Sequence, residues 1–231
     1  MPSPGYFALL PAAGVGARMG AEHPKQYLDI HGHPMIWHAI QAFERHPRVS
    51  RVYVVISPED AWWPGYDWSG FAKLRLLRCG GATRAESVLN GLAAMAEDVD
   101  ARDWILVHDA ARPCLSRERL DQLLDEVSAD PVGGILAAPV ADTLKRGDGA
   151  ENSARIAETV PRAGLWGAQT PQMFRHGLLR EALEKAGNHV TDEASALELM
   201  GLSPRLVASD LGNLKVTYPL DLELARYLLA R

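Results

Sequence analysis

The chain has 231 residues, of which 47% are hydrophobic and 23% charged, and its formal net charge is −5. That length and balance suit one well-packed globular domain. The acidic total excludes a broad basic field for nucleic acid, so a polyanionic ligand must be met by a few placed Lys and Arg side chains. No apolar stretch approaches the roughly 20 residues that cross a bilayer, and residues 1–6 carry no basic region of a secretory signal, so the expectation is a soluble, cytoplasmic protein. Cys79 and Cys114 are far apart and form no metal-ligand pattern, which fits two small hydrophobes in a reducing compartment.

Along the chain, β-like and helix-like segments alternate. Residues 6–10 form an apolar run that ends at Pro11 and a glycine-rich turn. Ile36, Ala39, Ile40 and Phe43 recur at helical spacing, and Pro47 closes that helix. Residues 52–56 read as a buried strand stopped at Ser57, and residues 74–77 as another, followed by Gly80 and Gly81. Val88, Leu92, Met95 and Val99 mark one helical face, and residues 104–107 form a strand running into His108 and Asp109. Ser116 then caps a helix with its core face at Leu120, Leu123, Leu124 and Val127. Residues 134–138 are a fifth strand. This alternation predicts a mostly parallel sheet with helices on both faces, with ligands at the carboxyl ends of its strands. Residues 140–163 break the rhythm: they are polar, with β-like pieces at 142–145 and 156–160, and read as a β-arm projecting from a single domain spanning 1–231. A lone hairpin is marginal in water, so a second subunit is its natural support. Helices at 177–186 and 192–200, a strand near 205–208 and a terminal helix through Leu224 and Leu228 complete the chain.

The strongest local feature is the loop at 11–20 (PAAGVGARMG), followed by Pro24, Lys25 and Gln26. Small residues and glycines after a strand let backbone N–H groups approach phosphate oxygens, and Arg18 and Lys25 add positive charge. Charge developing at the α-phosphorus of a triphosphate would be stabilised by each of these cations by about 3–4 kcal/mol. No Gly-Lys-Ser/Thr follows the glycines, so this is not a Walker A loop. Glycines at 14, 16 and 20 also miss the spacing of a dinucleotide site. The bland alternative is a glycine turn with solvated Arg18 and Lys25.

A second feature, residues 108–113 (HDAARP), stands at a strand end. Asp109 suits Mg²⁺, which takes few carboxylates plus phosphate oxygens. Arg112 can meet a phosphate or orient Asp109, while His108 reads as a packing or hydrogen-bonding residue. In Gly80-Gly81-x-x-Arg84-x-x-Ser87 the glycines permit close approach of a flat base and Ser87 can offer it a hydroxyl, although a helix N-terminal turn explains the pattern equally well. Trp62, Trp63 and Trp68 read as a packed surface insert.

Together these motifs resemble the 2-C-methyl-D-erythritol 4-phosphate cytidylyltransferase family of the non-mevalonate isoprenoid pathway. The likeness continues through 161–166 (PRAGLW), 169–172 (QTPQ), 191–195 (TDEAS) and 213–217 (NLKVT) with Pro219 and Asp221. It implies a Rossmann-like nucleotidyltransferase fold with a β-arm, and a reaction in which CTP and methylerythritol phosphate give the CDP-alcohol and pyrophosphate with Mg²⁺. By the same resemblance Arg18 and Lys25 stabilise the transition state, and Asp109 serves the metal and acceptor site. Arg162 and Lys215 orient the acceptor phosphate, with Arg112, Thr143 and Thr170 near it. Ala12, Ala13, Gly14, Gly16, Gly81, Ser87 and Ala110 line the nucleotide site. The family is a homodimer whose arm reaches into the neighbouring site, which would carry Thr143 and Arg162 into the partner's pocket. Ala82 and Thr83 depart from the family, which often has an acidic residue after the glycine pair. A ribitol 5-phosphate cytidylyltransferase is the nearest rival, and an inactive nucleotide-binding regulatory protein is a rival of another class.

Overall fold

Alternation along the first strand sets the architecture. Ala8 and Leu10 pack into one buried cluster and Phe7 and Leu9 into another, as a strand between two helical layers requires. The computed structural model describes residues 3–14, 24–149, 154–187 and 190–230. Its strands are β1 (Tyr6–Pro11), β2 (Asp29–Ile30), β3 (His33–Pro34), β4 (Val49–Val55), β5 (Leu74–Leu77), β6 (Trp104–Val107), β7 (Gly133–Pro139), β8 (Leu144–Asp148), β9 (Arg155–Val160), β10 (Trp166–Arg175) and β11 (Arg205–Ala208). Its helices are α1 (Met35–Glu44), α2 (Arg84–Ala94), α3 (Arg117–Val127), α4 (His176–Ala186), α5 (Glu193–Leu199) and α6 (Pro219–Leu229).

Seven strands form one sheet in the order β11-β7-β10-β6-β1-β4-β5. All neighbours are parallel except β10, which runs antiparallel to both β6 and β7. The expected mostly parallel sheet with helices on both faces is therefore what the chain builds. Apolar residues of α1 and α3 (Ile36, Ile40, Phe43, Leu120, Leu124) cover one face. Those of α2, α4 and α5 (Val88, Leu92, Leu179, Leu183, Leu197) cover the other. Ile30, Met35, Ala111, Val216 and Ala225 form a third cluster, which seats α6 beneath the strand ends.

The sequence reading lacks β10. Gly167, Gln169, Thr170 and Pro171 interrupt its apolar pattern, and its pairing with β7 skips from Ala168 to Gln172. Only its second half, with Met173 and Phe174 fully buried, looks like a core strand. Helix α2 begins earlier than its apolar face suggests, because Thr83 accepts from the Glu86 N–H and Glu86 reaches back in a reciprocal cap. It ends at Ala94, so Val99 lies beyond it.

Strands β8 and β9 pair with each other in a separate two-stranded sheet and are largely exposed. The tryptophan segment packs as an insert: Trp63 is buried and stacks on Trp68 at 4.0 Å, and Trp68 Nε1 donates to the Trp63 carbonyl.

Candidate active site

Three strand ends meet on one side of the sheet. After β1, Ala12 N–H donates to the Val55 carbonyl at 2.7 Å, and Gln26 Nε2 donates to the Ala12 carbonyl at 2.8 Å. This second bond brings the short helical turn Lys25–Tyr27 against the loop and places Lys25 at the cleft mouth, with Nζ 3.4 Å from the Val216 carbonyl. After β5, Gly80 lies so close to β1 and β4 that a Cβ there would sit 2.4 Å from Ala13 Cβ and 2.8 Å from the Ile56 carbonyl oxygen. Only glycine permits that approach. After β6, the loop 108–113 supplies Asp109, Ala110 and Ala111. The cleft between these ends is lined by Ala12, Ala13, Gly14, Lys25, Gly81, Arg84, Ser87, Asp109, Ala110 and Lys215, among others.

Charge is concentrated here. Asp109 Oδ2 accepts from Lys215 Nζ at 2.7 Å, and Oδ1 accepts from Arg84 Nε at 2.9 Å. Burial alone would raise the Asp109 pKa, but Arg84 and then Lys215 hold it well below the usual carboxylate range. Burial also works against the Arg84 charge; Glu193 and then Asp109 outweigh it, so the guanidinium is more firmly protonated than usual. Among the described residues, Lys25, Arg84 and Lys215 line the cleft with the carboxylate of Asp109, and with Glu193 paired to Arg84 from behind the cations still outnumber the acids by one. Such a surplus attracts a polyphosphate in a protein whose total charge is negative.

Under Asp109 runs a buried relay. Asp109 N–H donates to Thr170 Oγ1, the Thr170 hydroxyl donates to His108 Nδ1, and His108 Nε2 donates to the Arg112 carbonyl, each at 3.0 Å. This chain requires the neutral imidazole with its proton on Nε2. Full burial lowers the His108 pKa to about 4. Between the ordinary value of 6.5 and about 4, only the unfolded chain takes up this proton. Stability from this residue is thus complete above about pH 6.5 and falls by roughly 3 kcal/mol on acidification to about pH 4. Denaturant unfolding near pH 7 and near pH 4.5 checks this, with His108→Gln expected to flatten the slope. Equal wild-type stability at both pH values would refute it.

The structure places the sequence-derived candidates unevenly. Ala12, Ala13, Gly14, Lys25, Gly81, Ser87, Asp109, Ala110 and Lys215 meet at the cleft, while Gly16 and Arg18 lie outside the described residues. Ser87 Oγ accepts from Gly81 N–H at 3.1 Å and donates to the Thr83 carbonyl at 2.9 Å, so its proton is spent holding the loop. Arg112 is buried and donates to the carbonyls of Asn213 and Ala168, and Thr170 is committed to the relay. Both are buried and hydrogen-bonded behind the residues that line the cleft. Thr143 and Arg162 stand exposed on the arm, away from this cleft. The sequence reading missed Arg84 and Glu193 as site residues. Arg84 Nη1 and Nη2 engage both oxygens of Glu193 at 2.6 and 3.0 Å. A charged residue in the first turn of each of two capped helices was the available signal. Neither thiol competes for a catalytic role, since burial raises the Cys79 pKa and pushes Cys114 up to about 12.

Cations aimed at a glycine-walled cleft, beside one acid at the end of a parallel strand, suit transfer of a nucleotidyl group, and the fold is that of the nucleotidyltransferases. A family model for 2-C-methyl-D-erythritol 4-phosphate cytidylyltransferase matches residues 6–231. The chain belongs to that family. It is 60% identical over 228 residues to the enzyme of that name from Thiobacillus denitrificans (strain ATCC 25259 / T1), covering 98% of both chains. It is 60% identical over 227 residues to that of Dechloromonas aromatica (strain RCB), again covering 98% of both. A crystal structure of 4-diphosphocytidyl-2C-methyl-D-erythritol synthase superposes with a TM-score of 0.86 at 44% identity, covering 98% of this chain and 99% of that one. The cytidylyltransferase of Francisella tularensis does so with 0.82 at 32% identity, covering 97% and 99%.

Proposed function

We propose that this protein joins CTP to 2-C-methyl-D-erythritol 4-phosphate, giving 4-diphosphocytidyl-2-C-methyl-D-erythritol and pyrophosphate. The observation that carries the reading is the convergence of Lys25, Lys215 and Asp109 on one glycine-walled cleft, in a chain of this family. An oxygen of the acceptor phosphate forms a bond to the α-phosphorus as the bond to the β-phosphate bridge breaks, and pyrophosphate departs with the electron pair. The attacking phosphate is already anionic at neutral pH, so no strong base is needed. Catalysis then consists of alignment and charge stabilisation. Lys25 and Arg18 neutralise charge on the triphosphate, and Lys215 is placed to draw in the acceptor phosphate.

Mg²⁺ fits this cleft in one way. Among the described residues no group of three or more His, Cys, Asp or Glu can hold a metal, so Asp109 would supply the protein carboxylate and phosphate oxygens the remaining ligands. The bound ion would withdraw charge from the phosphates.

The reading extends to a homodimer. The arm exposes Ile156 (68%), and Leu165 and Trp166 at its base are also exposed. An isolated hairpin needs a surface to pack on, and a second copy's arm would bring Thr143 and Arg162 to a cleft that lacks them. A cytoplasmic setting suits the two free cysteines. Among the described residues no helix is long and apolar enough to cross a membrane.

Pyrophosphate release with Mg²⁺ and each nucleoside triphosphate, offering methylerythritol 4-phosphate and ribitol 5-phosphate separately, tests the proposal. Release with CTP and the former alone is expected. Release with ribitol phosphate would keep the chemistry and overturn the acceptor, and CTP binding without release would point to a binding protein.

A further inference from the structure

The two cations that divide the Asp109 carboxylate are held very differently. Lys215 has a side chain 40% exposed and ends a flexible stem. Arg84 is fixed from behind, because both terminal nitrogens donate to Glu193 while Nε donates to Asp109. A guanidinium gripped by its fork has one orientation, so the direction of Nε is set by Glu193.

Glu193, 1% exposed, is itself anchored. It opens α5, where the Asp192 carboxylate accepts from Ser195 N–H and from Gln172 Nε2, and Gln172 Oε1 accepts from Ala194 N–H. Arg84 opens α2 behind the Thr83 and Glu86 cap. Two capped helix starts, 109 residues apart in sequence, thus join through Arg84, whose Nε reaches Asp109 Oδ1. Stability is a weak reason for this construction, since well-packed apolar residues often replace a buried ion pair without loss.

We propose that Arg84 and Glu193 are positioning residues for the reaction. Glu193 locks the Arg84 guanidinium, which holds Asp109 by Oδ1 and so presents Oδ2 to the cleft. Lys215 is the exchangeable partner at Oδ2, where phosphate and its ion arrive. This inference rests on the reaction proposed above, and neither member of the pair touches the reacting atoms.

Glu193→Gln and Arg84→Lys in the full chain test it, with kcat and the KM for each substrate measured on protein whose folded fraction is fixed by thermal unfolding. Glu193→Gln keeps the shape but removes the charge, and Arg84→Lys keeps the charge but removes the fork, so a folding failure of one leaves the other informative. The expected result is a kcat lower by about 10- to 100-fold, the range seen when a group that orients a ligand is lost, with the KM for CTP within about 3-fold. A lower melting temperature with unchanged kcat per folded molecule would assign the pair to structure alone, and an effect confined to KM would assign it to nucleotide binding. Either overturns the proposal. Binding of Mn²⁺ to the CTP complex, followed by electron paramagnetic resonance, supplies a second readout. If wild-type protein releases no pyrophosphate, the reaction falls and the pair is judged on that readout. Weaker Mn²⁺ binding in Glu193→Gln would sustain it, and equal binding would end it.

Discussion

Replacing Lys25 with alanine is expected to lower turnover by about 10²- to 10³-fold, the loss typical of removing one preorganised donor to developing charge. The same change should alter stability by less than about 1 kcal/mol, because the anchors of its turn lie elsewhere. Gln26 ties the turn to Ala12, and Tyr27 is buried with its hydroxyl donating to Asp60. Lys25 itself lines the cleft, with a long 3.4 Å bond from Nζ to the Val216 carbonyl. If its charge serves the transition state more than the bound nucleotide, kcat and kcat/KM fall together. Steady-state kinetics and a thermal melt on the same preparation decide the matter. Wild-type turnover would remove Lys25 from the mechanism, and a collapsed melt would make it structural.

Asp109→Asn should cost about 10³-fold in turnover with Mg²⁺, since among the described residues Asp109 is the carboxylate that lines the cleft. Its effect on binding has the opposite sign. In wild-type protein the carboxylate repels a bare triphosphate and engages both Arg84 and Lys215. The amide neither repels the triphosphate nor holds Lys215 by charge, so metal-free CTP should bind Asp109→Asn more tightly than wild type. Titration of CTP in a chelating buffer reads this directly. Weaker metal-free binding in the variant would mean that Asp109 organises the cleft mainly as a structural counter-ion.

The sequence exposes this site to differing degrees, for physical reasons. The strands feeding the cleft are dominated by apolar residues, with Arg51 and Arg75 as interruptions in β4 and β5, and their ends are marked by glycine, proline or aspartate, so β1, β4, β5 and β6 and the residues just beyond them are readable from the chain. Asp109 and Lys215 stand 106 residues apart but fall in motifs that resemble one family, and they meet at 2.7 Å. What was not readable depends on tertiary context. Strand β10 has polar residues across its first half because they work beneath the site: Gln169 Nε2 donates to the Asp210 carbonyl, and the Thr170 carbonyl accepts from Asn213. A strand that braces a site with amides and a hydroxyl loses the periodicity by which strands are found. Arg84 and Glu193 were hidden for a related reason. A charged residue in the first turn of a helix ordinarily reads as a solvated end, and only the fold shows that these two ends face each other.

The arm leaves and re-enters the sheet between two strands that are already neighbours. Pro139 at the end of β7 pairs with Trp166 at the start of β10, and Val140 N–H donates to the Leu165 carbonyl at 3.1 Å across the base. The excursion is therefore an elaborated hairpin tip whose neck is closed by the sheet itself. Lengthening a loop with a closed neck adds little entropic cost, roughly 0.6 kcal/mol per doubling, and leaves the register below untouched. Insertion, trimming or exchange at the arm's tip can accordingly proceed without renegotiating the core, so the length of this excursion is set independently of the sheet beneath it.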